Sequence, residues 1–500
     1  MLEWTQEGFL SQFMSQSDTL AWSMEQDPLL RSTIVAVSLY EGTPDWEVVK
    51  RKVDITSRKI PGLRQHVVNP PLGLGNPRWV YDPHFDLSYH LRRIGAPSPG
   101  RIEDVLIMAR TMGMQSFDKD RPLWEFTVVE GIEGGRSAFI CKIHHSMTDG
   151  IGGLQLALGI MDMSREAAAP TQADVPPAPE GQQISEASLL AGGVAKELLN
   201  VFGFAGGLPK QAVSAVKDAV TNPVKATKDT VNKVMSIVKL VRPIDSRLST
   251  VMVGREPQWR FHIMDVPLGG LKSASKANGS TLNDAFVAAI LGGLRKYHTR
   301  HGVKVDDLRM TLPVSLRKPG DTGSGNRITL LRMELPAGET DPRVRMHEVG
   351  ARIKAWRAEP SLNYTQEVAG VINKLPVELL TPMLKYVDFL ASNVPGFPFP
   401  VYLGGAKLTG VYPCVSPTGT GVNVTLMSYC DKCCIGVNMD HGAIPDAAEF
   451  LADLKAGFEE VMAVGGPHEP VVMYEPGSPI PEQRPGKAEG AAARAEAPAW

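Results

Sequence analysis

The sequence predicts an α/β protein made of two domains. Strand-like and helical segments alternate over residues 1–166, and a similar alternation returns in residues 251–465, as is typical of layered α/β folds. Residues 167–250 are Pro/Ala-rich and then helical in pattern, which is typical of a linker. A chain of 500 residues also exceeds the usual size of a single hydrophobic core. Residues 466–500 are rich in Pro, Ala, Gly and Glu and are expected to form a disordered tail.

The first domain contains short β-branched segments and longer segments with apolar residues at helical spacing. The predicted strands are residues 32–42, 123–132 and 137–145, of which the last two are joined by the Gly-rich turn EGGR. The predicted helices are residues 46–60, 102–117 and 153–164. A strand–loop–helix corner is therefore expected around residues 142–153.

The same patterns of apolar and turn-forming residues predict the elements of the linker and the second domain. Residues 167–183 are expected to be mobile, and residues 184–241 to be helical with a break at Asn222-Pro223. Residues 279–302 predict a helix with a capping region at its start. The remaining predictions are strands at 307–317 and 329–336 and a β-hairpin over 421–440 that turns near Asp431-Lys432.

Composition excludes several classes of protein. The net charge of −2 gives no electrostatic support for nucleic-acid binding. The five cysteines are few, odd in number and clustered, which favours reduced thiols in a cytosolic protein. We find no signal-peptide pattern at the N-terminus and no run of about 18 apolar residues. A cytoplasmic protein without a transmembrane helix is expected.

The stretch KIHHSMTDGIGG, residues 142–153, carries the clearest chemical signal. Adjacent histidines at the end of a strand point in different directions, so one should face a cavity and the other should brace the loop. A neutral imidazole can accept a proton from a hydroxyl group near neutral pH. Asp149 could cap the following helix or pair with a distant arginine, and the glycines from Gly150 onward allow a tight turn.

Two other interpretations of this stretch remain open on the residues alone. The histidines could be ordinary core or surface residues beside a helix-capping aspartate. They could also bind a metal ion, although the adjacent side chains diverge and no H-x-x-x-H or H-E-x-x-H pattern is present. The single C-x-x-C in CDKCC (430–434) is better explained as a hairpin turn than as a zinc ribbon, and GSGN (323–326) lacks the continuation of a phosphate-binding loop. No metal is predicted.

HHxxxDG resembles the active-site motif of the CoA-dependent acyltransferase superfamily, which includes chloramphenicol acetyltransferase and peptide-synthetase condensation domains. Further stretches resemble the bacterial wax ester synthase/diacylglycerol acyltransferase family within it. They are SQSDTLAWSMEQ (15–26), RPLWEF (121–126), TLNDAFVAAI (281–290), LPVSLR with the following GN (312–326) and SNVPG (392–396). The resemblance spans about residues 15–465, without the 167–250 insert.

The resemblance implies two similar chloramphenicol-acetyltransferase-like lobes with mixed sheets and a channel between them. It also implies transfer of a long-chain acyl group from acyl-CoA, a substrate rather than a cofactor, to diacylglycerol or a fatty alcohol. An acceptor such as a polyketide or glycolipid hydroxyl, or a weakly active or non-catalytic lipid-binding protein, is the alternative. The oligomeric state is not predicted.

Residue roles follow from the same resemblance. His145 corresponds to the general base and His144 to a residue that supports the loop. Asp149 corresponds to an aspartate that pairs with an arginine, for which Arg317 is our candidate. Asn283 lies where an amide could contact the oxyanion, and an ordinary asparagine at the start of a helix is the alternative. Candidates for the substrate channel are Pro122, Leu123, Trp124 and Gly150, although packing is the stronger interpretation of the first three.

The segment 209–243 predicts contact with a lipid surface. It carries seven basic residues, namely Lys210, Lys217, Lys225, Lys228, Lys233, Lys239 and Arg242. Valines recur beside them at helical spacing, which gives a basic amphipathic helix. A helix packed against the protein itself is the alternative. We therefore expect a peripheral partner surface, either the inner membrane or a lipid droplet.

Overall fold

The structure is a computed structural model that describes residues 13–71, 76–148, 150–182, 246–315, 328–359 and 385–474. The α-helices are α1 (Gln16–Met24), α2 (Trp46–Lys59), α3 (Leu87–His90), α4 (Ile102–Met114), α5 (Gly150–Ile160), α6 (Leu268–Ala277), α7 (Leu282–Arg300), α8 (Pro342–Arg357) and α9 (Ala447–Ala463). The strands of the first half are β1 (Thr33–Glu41), β2 (Gln65–Val68), β3 (Arg78–Tyr81), β4 (Leu91–Gly95), β5 (Trp124–Ile132) and β6 (Arg136–His144). The strands of the second half are β7 (Trp259–Pro267), β8 (Leu308–Ser315), β9 (Ile328–Leu335), β10 (Phe389–Val394), β11 (Tyr402–Leu403), β12 (Ala406–Val415), β13 (Val422–Tyr429), β14 (Lys432–Asp440) and β15 (Val472–Met473).

Two large mixed sheets organise the described residues. The first has the order β11-β12-β1-β6-β5-β4, and the second has the order β15-β7-β14-β13-β10-β8-β9. Strands β4 and β5 are parallel, as are β10 and both of its neighbours, while the other pairs in the two sheets are antiparallel. The predicted α/β class with mixed sheets is confirmed.

The two halves of the chain share the first sheet. Strands β11 and β12 come from the second half but pair at the edge of β1, with Val35 opposite Cys414 and Ala36 opposite Pro413. The core behind this sheet also takes Trp259, Phe261 and Ile263 from β7. A division of the chain near residue 251 therefore does not coincide with the division between the sheets.

The second core surrounds helix α7, whose residues from Ala285 to Leu291 are fully buried. In the predicted capping region, Thr281 and Asp284 form a capping box: the Thr281 N–H donates to Asp284 Oδ2 at 2.8 Å, and the Asp284 N–H donates to Thr281 Oγ1 at 3.2 Å. Helix α7 packs against α9, α8 and α6. The sequence predicts where this helix begins. The three helices packed around it explain why nearly all of its faces are buried.

Most predicted elements lie where the sequence places them, including the hairpin of β13 and β14. Its turn holds Cys430 at a φ of 52°, in the left-handed region that few non-glycine residues adopt. The helix predicted at 153–164 begins earlier, at Gly150, and ends at Ile160. The helical segment predicted at 184–241 lies outside the described residues.

Two expectations about irregular segments are wrong in part. Residues 167–183 were expected to be mobile, but the described part, 167–182, lies along the first domain: Arg58 donates to the Pro176 carbonyl at 2.9 Å, and the Gln182 N–H donates to the Tyr81 carbonyl at 3.0 Å. The tail was expected to be disordered from residue 466, but β15 pairs with β7. The composition of the tail predicted disorder, but it does not show that the short apolar run around Val471 can pair with the edge of a sheet. Val471 is buried there.

Candidate active site

The histidine loop leaves the first sheet between its neighbouring strands. β6 lies between β1 and β5 and ends at His144. The His144 N–H donates to the Leu123 carbonyl at 3.0 Å, and the His145 N–H donates to the Ser32 carbonyl at 2.8 Å. The Met147 N–H then donates back to the His144 carbonyl at 3.0 Å and closes a tight turn. Backbone bonds on both sides therefore fix where the two histidines sit.

His144 is fully buried, and its hydrogen bonds are made at Nδ1. Its Nδ1 accepts the Ser146 N–H at 3.1 Å and lies 2.7 Å from Ser146 Oγ. The proton of the neutral ring therefore sits on Nε2, which faces Glu25 Oε2 at 3.4 Å. The rings of Trp22 and Phe117 meet the imidazole edge-on, with centroids at 5.8 and 5.9 Å. This histidine braces the loop.

His145 occupies the turn itself and is only partly buried. It thus differs from its neighbour in the way the sequence predicts: one ring is built into the core and the other has access to solvent. Such access is a requirement for a base that must meet a substrate hydroxyl.

Two potential nucleophiles lie close to His145 in sequence. Ser146 is 1% exposed, and its hydroxyl contacts His144 rather than the open side of the loop. Cys141 lies on β6, where burial raises the pKa of its thiol well above the ordinary value. Ser146 has a histidine partner, as an activated nucleophile would, but its burial keeps it from a substrate, and the Cys141 thiol stays protonated.

The segment Pro122-Leu123-Trp124 lies in the core behind the loop. Leu123 and Trp124 have no exposed surface. Trp124 donates from Nε1 to the Leu63 carbonyl at 2.8 Å and stacks on His90, with centroids 4.5 Å apart. These residues support the strand ends from which the histidines project, and they do not line an exposed surface.

Of the four remaining candidate site residues, the structure describes two. Gly150 is the first residue of α5, directly after the loop. Asn283 is half-buried in the first turn of α7, beside the capping residue Asp284. Asp149 and Arg317 lie outside the described residues, so their pairing stays a prediction.

Charged side chains near His144 were not identified from the sequence. Lys142, two positions earlier on the same face of β6, is buried against the Phe117 ring, with Nζ 4.2 Å from its centroid. It donates to Glu125 Oε1 at 2.9 Å, and burial lowers the pKa of its ammonium. Glu25, which follows α1, is also buried. Both are charged residues whose burial depends on partners distant in the chain, so no local signal marks them as buried.

Over the parts of the chain that the structure describes, no group of three or more His, Cys, Asp or Glu side chains could hold a metal ion. Within the same residues, no helix is both long enough and apolar enough to cross a membrane.

The fold is that of a class of two-lobed α/β proteins with mixed sheets, several of which have been solved. A solved wax ester synthase/diacylglycerol acyltransferase from Marinobacter aquaeolei VT8 is similar over 91% of this chain and 100% of its own, with a TM-score of 0.61 and 22% identity. The starter condensation domain of rhizomide synthetase, solved with C8-CoA and Leu-SNAC, is similar over 93% of this chain and 97% of its own, with a TM-score of 0.59 and 11% identity.

Sequence comparison narrows this class to one family. The wax ester synthase/diacylglycerol acyltransferase catalytic domain matches residues 14–286, and the C-terminal domain of that family matches residues 324–462. A protein of Mycobacterium tuberculosis (strain H37Rv) named as a diacylglycerol O-acyltransferase is 34% identical over 93% of this chain and 94% of its own length. The chain belongs to the wax ester synthase/diacylglycerol acyltransferase family and is an acyl-CoA-dependent O-acyltransferase.

Proposed function

We propose that this enzyme transfers a long-chain acyl group from acyl-CoA to the free hydroxyl of diacylglycerol, forming triacylglycerol, and accepts a fatty alcohol as a second substrate. Family membership and the name of the mycobacterial relative support the choice of acceptor. The condensation domain that binds C8-CoA shares the fold, which supports acyl-CoA as the donor. Acyl-CoA is consumed in the reaction, so no separate cofactor is invoked.

The observation that carries the mechanism is the contrast between the two histidines. His144 is buried and bonded on Nδ1, whereas His145 is partly exposed at the end of the same strand. His145 is therefore the general base. Its imidazole takes the proton of the acceptor hydroxyl as the oxygen attacks the thioester carbonyl carbon.

The remaining steps need no further catalytic base. The tetrahedral intermediate collapses, the carbon–sulfur bond breaks, and the imidazolium returns its proton to the CoA thiolate, whose pKa resembles that of a free cysteine. The amide of Asn283 is proposed to contact the oxyanion. Asp149 and Arg317 are proposed to hold the loop through an ion pair. Alignment of both substrates in a ternary complex supplies much of the remaining rate enhancement.

The enzyme is further proposed to work at a lipid surface, either the cytoplasmic face of the inner membrane or a lipid droplet. The proposed acceptors, diacylglycerol and fatty alcohol, are insoluble in water. The basic amphipathic segment 209–243 would be attracted to an anionic lipid surface. This segment lies outside the described residues, so the proposal depends on the sequence.

The test is incubation of the purified full chain with labelled palmitoyl-CoA and separate acceptors: diacylglycerol, hexadecanol and a glycolipid alcohol. Labelled triacylglycerol, with a smaller amount of wax ester, is the expected product, and a His145→Ala protein is the matched control. Labelled product with the glycolipid alone would refute the proposed acceptor but leave the acyl transfer intact. No labelled ester with any acceptor would refute the proposed function.

A further inference from the structure

The N-terminal helix reaches the histidine loop through one buried side chain. Glu25 directly follows α1 and is 6% exposed. We propose that Glu25 is a positioning residue for acyl transfer, whose carboxylate fixes the ring of His144 and the backbone of His145 at the same time. This inference rests on the proposed role of His145 as the base.

The first connection is to the ring of His144. Glu25 Oε2 lies 3.4 Å from Nε2 of this histidine. Because Nδ1 accepts the backbone N–H of Ser146, the ring proton is on Nε2 and faces the carboxylate. A carboxylate facing a ring N–H selects that tautomer and orients the ring, in the way that outer partners orient functional histidines.

The second connection is to the backbone of His145. The same oxygen, Glu25 Oε2, accepts the Ser32 N–H at 3.2 Å. The carbonyl of Ser32 in turn accepts the His145 N–H at 2.8 Å. A shift of the carboxylate would therefore be transmitted to the residue that carries the proposed base, through one intervening residue.

An ion pair with Arg31 connects Glu25 to α4 as well. Arg31 Nε lies 3.8 Å from Glu25 Oε1, and the guanidinium also donates to the Met114 carbonyl at the end of α4. A buried carboxylate is costly unless it has partners of opposite charge or hydrogen-bond donors. The Glu25 carboxylate contacts residues at the ends of α4 and β6 and itself follows α1. Removing it should therefore loosen the histidine loop, although the carboxylate does not contact a substrate.

The test compares the steady-state kinetics of Glu25→Gln with those of Glu125→Gln. Glu125 is a nearby carboxylate that bonds Lys142 and Arg92 and has no bond to either histidine. We expect Glu25→Gln to lower kcat about 10- to 100-fold, the loss typical of a positioning partner, with little change in the KM for acyl-CoA. Glu125→Gln should lower the thermal midpoint but keep kcat.

A double-mutant cycle separates positioning from general loss of stability. In a His144→Ala background, Glu25→Gln should cost little further kcat, because the ring it orients is already gone and the amide oxygen of the substituted side chain can still accept the Ser32 N–H. Fully additive losses, or a loss for Glu25→Gln no larger than that for Glu125→Gln, would overturn the inference. If Glu25→Gln does not fold, Glu25→Asp decides, since it keeps the charge but shortens its reach; an unchanged kcat would then overturn the inference.

A His145→Ala protein in the same series keeps the two proposals apart. If it retains full activity, the proposed mechanism fails whatever Glu25 does. If it loses activity while Glu25→Gln retains wild-type kcat, only the positioning role of Glu25 fails.

Discussion

His144 and His145 are adjacent in the chain, yet the first sheet gives them opposite environments. The His144 ring is enclosed by Trp22 and Phe117 and bonded to Ser146, while His145 keeps partial exposure. The difference arises because β6 ends at His144, whose ring lies in the core, while His145 already belongs to the turn. Substitution of His144 and of His145 should therefore affect activity and stability differently.

His145→Ala is expected to lower kcat by about 10²–10⁴-fold, the contribution of a general base. His144→Ala should lower kcat less and the thermal midpoint more, because it removes a buried ring and leaves Glu25 without its neighbour. Initial rates with palmitoyl-CoA and diacylglycerol, together with thermal melts, measure both effects. His84→Ala, at an exposed position, is the matched control. A larger kcat loss at His144 than at His145 would contradict these roles.

Transfer should proceed without an acyl-enzyme. Ser146 is buried against His144, and the Cys141 thiol is kept protonated because burial raises its pKa. Enzyme mixed with acyl-CoA in the absence of acceptor, quenched and measured by intact mass, should therefore show only the unmodified protein. A stoichiometric acyl adduct that disappears in Ser146→Ala or Cys141→Ala would require a ping-pong mechanism instead.

His90 should make the fold sensitive to acid. Burial lowers the pKa of its imidazole to about 4, and Nδ1 is bonded to the Trp124 carbonyl at 2.7 Å. The unfolded chain takes up a proton near pH 6.5, so stability from this group is complete above that pH and is lost as the pH falls toward 4. The loss by pH 5 is about 2 kcal/mol.

The His90→Phe variant tests this linkage. It should be less stable than the wild type at pH 7.5, because the bond to Trp124 is lost. It should also lose less of its thermal midpoint between pH 7.5 and 5. His262→Gln is a useful comparison, since burial lowers the pKa of His262 to about 4 as well. Parallel pH curves for wild type and His90→Phe would show that His90 is not the titrating group.

Helices α7 and α9 cross at a distance that only glycine allows. A Cβ on Gly457 would lie 2.3 Å from the Ala289 carbonyl oxygen, and one on Gly293 would lie 2.6 Å from Leu454 Cα. The obstructing atoms are backbone, so they cannot move aside without shifting a helix. The apolar pattern of each helix is visible in the sequence, but the need for glycine at the crossing depends on the partner helix.

Gly457→Ala should therefore lower the free energy of unfolding of the second core by about 1–3 kcal/mol or more. Gly269→Ala is the matched control, since Gly269 is exposed in α6 and an added Cβ would meet nothing within 4 Å. There alanine should raise the unfolding free energy by about 0.5–1 kcal/mol. Urea unfolding of both variants measures the two changes; equal effects would contradict the close helix crossing.

The two lobes are joined not by the linker alone but also by β11 and β12, two strands of the second half that complete the first sheet. Strand β12 completes the first sheet beside β1, and the chain then enters the second sheet at β13. The hydroxyl of Tyr412 on β12 also donates to Asp265 Oδ1 on β7, in the second sheet, at 2.8 Å. Relative movement of the lobes is therefore constrained at more than one point.

Binding of the full chain to membranes should depend on residues 209–243. Flotation with anionic liposomes should carry the full chain upward, and deletion of this segment should reduce the bound fraction because a basic amphipathic surface is lost. Neutral liposomes are the control for the electrostatic part. Equal flotation of both proteins with anionic liposomes would rule out this segment as the anchor.

The sequence by itself determined the features that depend on neighbouring residues. The alternation of strands and helices, the cap at Thr281, the turn of the β13–β14 hairpin and the histidine pair at a strand end are encoded within a few residues. Tertiary structure decided what depends on distant partners. The pairing of β12 with β1, the order around Val471 and the burial of Glu25 against His144 join segments far apart in the chain. Local pattern specifies which face of an element is apolar, but only the packed chain determines which polar group meets that face and which sheet edge is filled.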